Sequence, residues 1–208
     1  MKLTEYSCNE FAEQLAAHAP TPGGGSAAAM IGSYGSALCA MVAHYTIGRE
    51  KYAEYDGLME GTLLQANTLR SEFLEAVDAD AEAYNAVSGV LSMPKATAEE
   101  KAARKQAMQE ALKKAASVPY TVMELSLRAL ELTKSMVGIS NPNVASDLGV
   151  AAVSLRAALC GAWLNVQINL SGIKDEAFTG EYRTHGEALT AKALPLADFI
   201  YNEIVKII

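Results

Sequence analysis

Pro20-Thr-Pro-Gly-Gly-Gly-Ser26 opens a stretch that closes with Thr46-Ile-Gly-Arg-Glu-Lys-Tyr52, and the twenty-one residues from Ala27 to Ile47 contain no Asp, Glu, Lys or Arg. The prolines end whatever precedes them, because the ring fixes φ and removes an N–H donor. Three glycines let the backbone approach another group closely, and Ser26 can cap the helix that follows. A helix uncharged over that length is expected to be buried on all sides, in a protein core or in lipid. Ala28, Gly32, Ser36 and Ala40 fall four apart along it. Such a small-residue stripe admits a partner helix at close range, from the same chain or from a second copy.

Working outward, every other segment reads as helix. Half of the 208 residues are hydrophobic but only 7% are aromatic, a balance that favours helix over sheet. Ser7-Cys-Asn-Glu10 has capping-box spacing and opens a short helix with Phe11 and Leu15 on one face. Apolar residues recur at three- and four-residue steps from about Glu54 to Leu91, with Gly57 and Gly61 weakening the start and Pro94 marking the end. Thr97-Ala-Glu-Glu100 caps a charged, solvated helix to about Ser117, and Pro119 suits the first turn of a separate helix ending before Gly138. Asn141-Pro-Asn143 is a turn. A second apolar helix spans Val144 to Ser171, and a last one runs from about Lys174 to Ile208 with a kink near Pro195. No segment alternates with period two. The predicted fold is all-α, a single domain over 1–208, an up-and-down bundle of long helices around two buried apolar ones.

A formal net charge of −7 argues against a nucleic-acid partner, since no basic stripe offsets phosphate repulsion. Ala27–Ile47 is long enough to cross a bilayer, yet it carries Tyr34, His44 and Tyr45. The uncharged run Ala157–Ile173 carries Asn165, Gln167 and Asn169, and neither run has an aromatic belt. Both are expected to be core helices, with no membrane partner. No apolar signal core follows Met1-Lys2-Leu3, so a cytoplasmic location is expected. Cys8, Cys39 and Cys160 are odd in number and far apart, and His18, His44 and His185 show no i, i+4 pairing. Neither set forms a metal or disulfide framework.

Candidate chemistry falls in three places. Gly23, Gly24, Gly25 and Ser26 present N–H groups at a helix start, favourable for an anion. No strand precedes them and no Gly-Lys-Ser/Thr occurs, which excludes a dinucleotide fingerprint and a P-loop. Arg49 and Lys51 lie beyond the other end of the same helix, as ordinary helix-end cations or as a clamp for carboxylates. Asp78 and Asp80 interrupt a core-like pattern, and being two apart on a helix they cannot both face inward. Asp147 sits in the first turn of the second apolar helix, where dipole capping alone would explain it. Asn165 and Asn169 share a face within an apolar run, and buried amides need partners, from protein or ligand. Together these describe a polar cluster inside a helical bundle with basic residues at its mouth.

Pro22-Gly-Gly-Gly-Ser26, Thr46-Ile-Gly-x-x-Lys-Tyr52, Asp80-x-Glu-Ala-Tyr84, Asn143-x-x-Ser-Asp147 and Asn165-Val-x-x-Asn169 occur in that order. The five motifs together resemble the cyclodeaminase/cyclohydrolase family. It comprises the C-terminal half of formiminotransferase-cyclodeaminase and stand-alone bacterial relatives that include methenyltetrahydrofolate cyclohydrolases. The resemblance implies an all-helical homodimer acting on folate one-carbon units at the 5,10-methenyl level, with no cofactor beyond the tetrahydrofolate substrate. It implies Asp80 or Asp147 as general base or cation stabiliser, and Asn143, Asn165 and Asn169 as holders of the pterin or of water. Arg49, Lys51 and the Gly23–Ser26 turn would take the glutamate carboxylates, with Tyr52 and Ser146 also in the binding set. The rival expectation is a non-catalytic helical dimerisation protein.

Overall fold

The computed structural model describes residues 2–208, and among them there is helix but no strand. The long elements are α2 (Gly24–Thr46), α3 (Asp56–Leu91), α4 (Ala98–Met136), α5 (Ala145–Leu170) and α6 (Glu176–Ile207), preceded by the short α1 (Cys8–Ala16). Single 3₁₀ turns at Leu3–Glu5, Glu50–Tyr55 and Pro142–Val144 complete the path.

The bundle is organised on α2. Ser26 bonds to Asp80 while Gly32 lies against the ring of Phe73, so α3 runs antiparallel to α2. On its other side Gly24 approaches Asn165, and Ala28 lies 3.2 Å from where a side chain on Gly161 would begin. Gly35 packs onto Leu155, making α5 antiparallel as well. The small-residue stripe therefore works within the chain: a Cβ at Gly32 would collide with the buried Phe73 ring. α4 runs against α3, with Arg128 bridging to Glu72 at 3.1 Å and Arg104 donating to the carbonyls that end α3, Val90 and Leu91. Phe73, Met59, Met123, Leu130, Leu148 and Leu155 are among the fully buried side chains of the shared core.

The capping boxes at Ser7 and Thr97 form as the spacing predicts, each paired with a glutamate three residues on. Gly138 follows α4 with φ +81°, the left-handed conformation that favours glycine. Three expectations are corrected. Ser26 is not the cap of α2; the helix begins at Gly24, and Ser26 sits inside its first turn. α4 does not break at Pro119, which lies inside one continuous helix. A proline leaves the carbonyl four residues back without its helical donor; here that carbonyl is Ala115 O, and Asn169 Nδ2 of α5 donates to it at 2.8 Å. The missing bond is replaced from outside, so the helix continues. Pro195 likewise lies inside α6, but at an exposed position where water can serve the orphan carbonyl.

The third correction concerns burial. By length and apolarity α2 and the segment Pro142–Leu170 are both capable of crossing a membrane. Both are instead packed in the bundle, but not on every side. Ile31, Tyr34 and Tyr45 of α2 are exposed, as are Val150, Val153, Leu164 and Ile168 of α5. These exposed side chains are largely apolar, with Arg156 of α5 exposed beside Val153 and pairing with Asp198 of α6.

Candidate active site

The candidate residues separate into two clusters, one at each end of α2. At the N-terminal end the first turn of α2 meets α3 and α5. Asp80 Oδ2 accepts the Ser26 backbone N–H at 2.7 Å and lies 2.9 Å from Ser26 Oγ, which is also 3.1 Å from the Val77 carbonyl. The serine has one hydroxyl proton and two acceptors. It can donate to an ionised Asp80, or turn to Val77 when Asp80 carries a proton. Burial pushes the Asp80 carboxyl above its ordinary 3.8, against the two Ser26 hydrogen bonds that pull it down. A carboxyl held up by burial yet supplied with partners in both protonation states is suited to taking and returning a proton.

The glycines make room for this. A Cβ on Gly25 would fall on the Asp80 carboxylate, and one on Gly24 would lie 3.3 Å from Asn165 Nδ2. Asn165 donates to Gly161 O of its own helix at 2.8 Å, and its carbonyl oxygen has no donor among the described residues. Asp80 and Asn165 thus flank the first turn of α2, where the N–H ends and the helix dipole favour negative charge or an electron-rich ligand atom. Gly23 precedes them as the cap residue. Asn169, one turn beyond Asn165, is committed to Ala115 O. Asp78 faces away and holds the chain start, accepting Leu3 N–H at 2.7 Å and the Thr4 hydroxyl at 2.9 Å.

At the C-terminal end of α2 the polar groups are matched within the protein. Thr46 Oγ1 donates to Val42 O and accepts Asn141 N–H; Asn141 Nδ2 donates to Tyr45 O, and its side-chain oxygen accepts Asn143 N–H. Around this clasp lie a cavity of about 270 Å³ lined by Lys51, Tyr52, Ser140 and Ala145, and the start of α5 with Ser146 and Asp147. Arg49 and Lys51 are exposed and make no ion pair among the described residues. Lys51 Nζ stands 5.5 Å from the Tyr52 ring centre. Asn143 and Ser146 are exposed, while Asp147 is half-buried without a hydrogen-bond partner.

The expectation that the glycine turn and Arg49/Lys51 grip the same carboxylates is corrected for a single chain. The twenty-three residues of α2 hold the two clusters about 33 Å apart at ~1.5 Å per residue. Sequence reasoning missed Asn141, the most connected amide in the molecule; its signal was an Asn directly before a proline, a common turn-forming pair. It also missed that Asn169 answers Pro119, which only the proximity of α4 and α5 reveals.

An all-helical bundle built on a charge-free helix, with an acid and an amide at one end and free cations at the other, is the architecture to be placed. The family model described as Formiminotransferase-cyclodeaminase matches residues 7–188, and the chain belongs to that family. It is 41% identical to a methenyltetrahydrofolate cyclohydrolase of Methylorubrum extorquens over 93% of each chain. It is 32% identical to the rat formimidoyltransferase-cyclodeaminase over 97% of its own length, but spans only 37% of that longer protein. The crystal structure of formiminotetrahydrofolate cyclodeaminase from Thermotoga maritima superposes with a TM-score of 0.82 at 28% identity, covering 99% of this chain and 97% of the other.

Proposed function

We propose that the protein is a folate one-carbon enzyme working at the 5,10-methenyltetrahydrofolate level and that it hydrolyses the methenyl compound to formyltetrahydrofolate. The 41% identity to a methenyltetrahydrofolate cyclohydrolase along nearly the whole of both chains carries this reading. The second reading, cyclisation of 5-formiminotetrahydrofolate with release of ammonia, is favoured by the close superposition on the Thermotoga cyclodeaminase. A purely structural dimerisation protein is not favoured by either relative.

In the hydrolysis, water adds to the carbon bridging N5 and N10 and Asp80 accepts its proton. Asp80 then returns a proton to N5 as the C–N5 bond breaks, while the remaining hydroxyl proton leaves to solvent. The formyl group stays on N10 and one proton is released overall. The delocalised cation of the substrate is stabilised by the same carboxylate before attack. Asn165 offers its carbonyl oxygen to the water or the pterin, and the Gly23–Ser26 turn receives electron-rich substrate atoms. Arg49 and Lys51, with Tyr52, Asn143 and Ser146, form the station for the glutamate tail, and Asp147 is the second acid. The chemistry asks for no metal or redox cofactor, and a cytoplasmic location, where reduced folates are made and used, fits it.

Because the two clusters lie at opposite ends of α2, the working unit we propose is a homodimer. The exposed side chains along α2 and α5, Ile31, Tyr34, Tyr45, Val150, Val153, Leu164 and Ile168, are largely apolar, which suits a second copy laid across them antiparallel. The tail station of one chain then serves the acid of the other.

The test is to mix purified protein with methenyltetrahydrofolate and, separately, with 5-formiminotetrahydrofolate. Decay of the methenyl chromophore well above the spontaneous rate supports hydrolysis; its appearance together with ammonia supports the second reading. Neither change, from a folded protein, would exclude both.

A further inference from the structure

Phe73, Val77, Asp80 and Tyr84 follow one line of α3, spaced by four, three and four residues. Three of them meet α2: Phe73 lies under Gly32, the Val77 carbonyl bonds Ser26, and Asp80 bonds the same serine. Tyr84 continues that line by one turn, yet it is 46% exposed. One reason is that α2 has ended: it begins at Gly24, and Tyr84 lies one turn of α3 beyond the Asp80 that meets its first turn. Its hydroxyl makes no hydrogen bond to another described residue, so no protein group ties the ring down. The line that carries buried packing residues and then the acid therefore finishes in a solvent-accessible aromatic ring, one helical turn (about 5.4 Å) beyond Asp80.

We propose that Tyr84 is the platform on which the flat bicyclic ring of the substrate stacks, holding the reacting one-carbon bridge beside Asp80. This rests on the folate reading above and extends it to a residue outside the acid and amide set. The ring supplies two things that an aliphatic side chain would not. It offers a face matched in shape to a planar heterocycle, and its negative π-face attracts the positive charge spread over the methenyl bridge. The glutamate tail, pointing away from the acid, leaves the pterin end of the molecule for Tyr84.

The experiment compares Tyr84→Leu and Tyr84→Phe with wild type by steady-state kinetics on methenyltetrahydrofolate and by calorimetric binding of tetrahydrofolate, which is not turned over. The expected result is a rise of about tenfold in both KM and Kd for Tyr84→Leu, with Tyr84→Phe within about twofold of wild type and the melting temperature unchanged in both. A Leu variant with wild-type KM and Kd overturns the proposal, as does a Phe variant impaired as much as Leu, which would assign the effect to the hydroxyl. The reaction and the platform fail separately. Wild type that binds tetrahydrofolate ten times better than Tyr84→Leu but turns over neither folate supports the platform and sinks the proposed reaction. Wild type that binds no folate overturns both.

Discussion

The two ends of α2 are built from similar residue types and behave differently. At its C-terminus Thr46 and Asn141 satisfy one another and two of the last carbonyls of the helix through three hydrogen bonds, and a fourth runs from Asn143 N–H to the Asn141 side-chain oxygen. That clasp is complete within the protein, and the cations beside it, Arg49 and Lys51, make no ion pair among the described residues. At the N-terminus the acid that meets the first turn is offered a serine hydroxyl with a second acceptor of its own, and burial keeps its carboxyl above the ordinary aspartate range. One end is a closed clasp with loose charges around it; the other holds a group whose proton can move. On the function proposed, the contrast gives the proton-accepting step to the Asp80 end. To the Arg49 end it gives tail recognition together with the second acid, Asp147, which would meet the reaction centre of the other chain.

The most severe way to break that contrast is Asp80→Asn. Loss of the proton acceptor is expected to lower turnover by about 10²–10⁴-fold. Asparagine keeps an oxygen for Ser26 N–H, so the fold should survive. The pH dependence has a definite sign. With the native carboxyl raised above its unfolded value, ionised Asp80 costs stability at neutral pH, and the cost is relieved as pH falls through the raised value. Asp80→Asn should therefore melt at or above the wild-type temperature at pH 7, with the difference fading toward pH 3.8 and below. A clear drop in melting temperature at pH 7 would mean the carboxylate is structural. In wild type, kcat should rise with pH through an apparent value above the ordinary aspartate range, and this limb should vanish in the variant.

Gly25→Ala sharpens the same end without removing a functional group. The added methyl must displace the Asp80 carboxylate, and a shift of about 1 Å at a reacting group costs on the order of 10²-fold in rate. Wild-type kcat in this variant would show that the carboxylate position is not critical.

At the other end, Arg49→Ala and Lys51→Ala should each raise KM by about tenfold with kcat nearly unchanged, as loss of a charge-assisted contact to a carboxylate predicts. Stability should stay within about 0.5 kcal/mol of wild type because both side chains are exposed. A change confined to kcat would move these cations to the reaction centre.

The smallest effect concerns neither end. Asn169→Ala should cost about 1–3 kcal/mol by exposing the orphaned Ala115 carbonyl. It should cost much less in a Pro119→Ala background, where residue 119 regains its own N–H for that carbonyl. Equal losses in both backgrounds, read from denaturant melts, would deny that Asn169 answers Pro119.

These differences also mark how far the sequence could be read. The charge-free run from Ala27 to Ile47, the two capping boxes and the left-handed Gly138 are local signals, and each led to the observed element within about two residues. Asp78 and Asp80 both stood out because acids had no place in an apolar helical pattern, and it took the structure to turn Asp78 to the chain start and Asp80 to α2. What stayed hidden was relational. Nothing in the neighbourhood of Pro119 announces that an amide fifty residues later replaces its missing donor, so a continuous helix read as two. By its length α2 already implied ends about 33 Å apart; what it could not say is that no other segment of the chain folds back to join the two clusters. Its open face was concealed by the uncharged composition itself, since apolar residues facing a partner look the same as apolar residues facing a core.

The central claim is that the two ends of α2 act together only across two chains. It is tested most directly by mixing two variants, Asp80→Asn and Asp147→Asn, each with strongly reduced turnover, after dissociating and reassociating them together. If each site takes its acid from one chain and its second acid from the other, the mixed dimer contains one intact site, and about a quarter of wild-type turnover should return at equal mixing. If turnover stays at the level of the separate variants although mixed dimers form, the site lies within one chain and the account of its two ends is wrong.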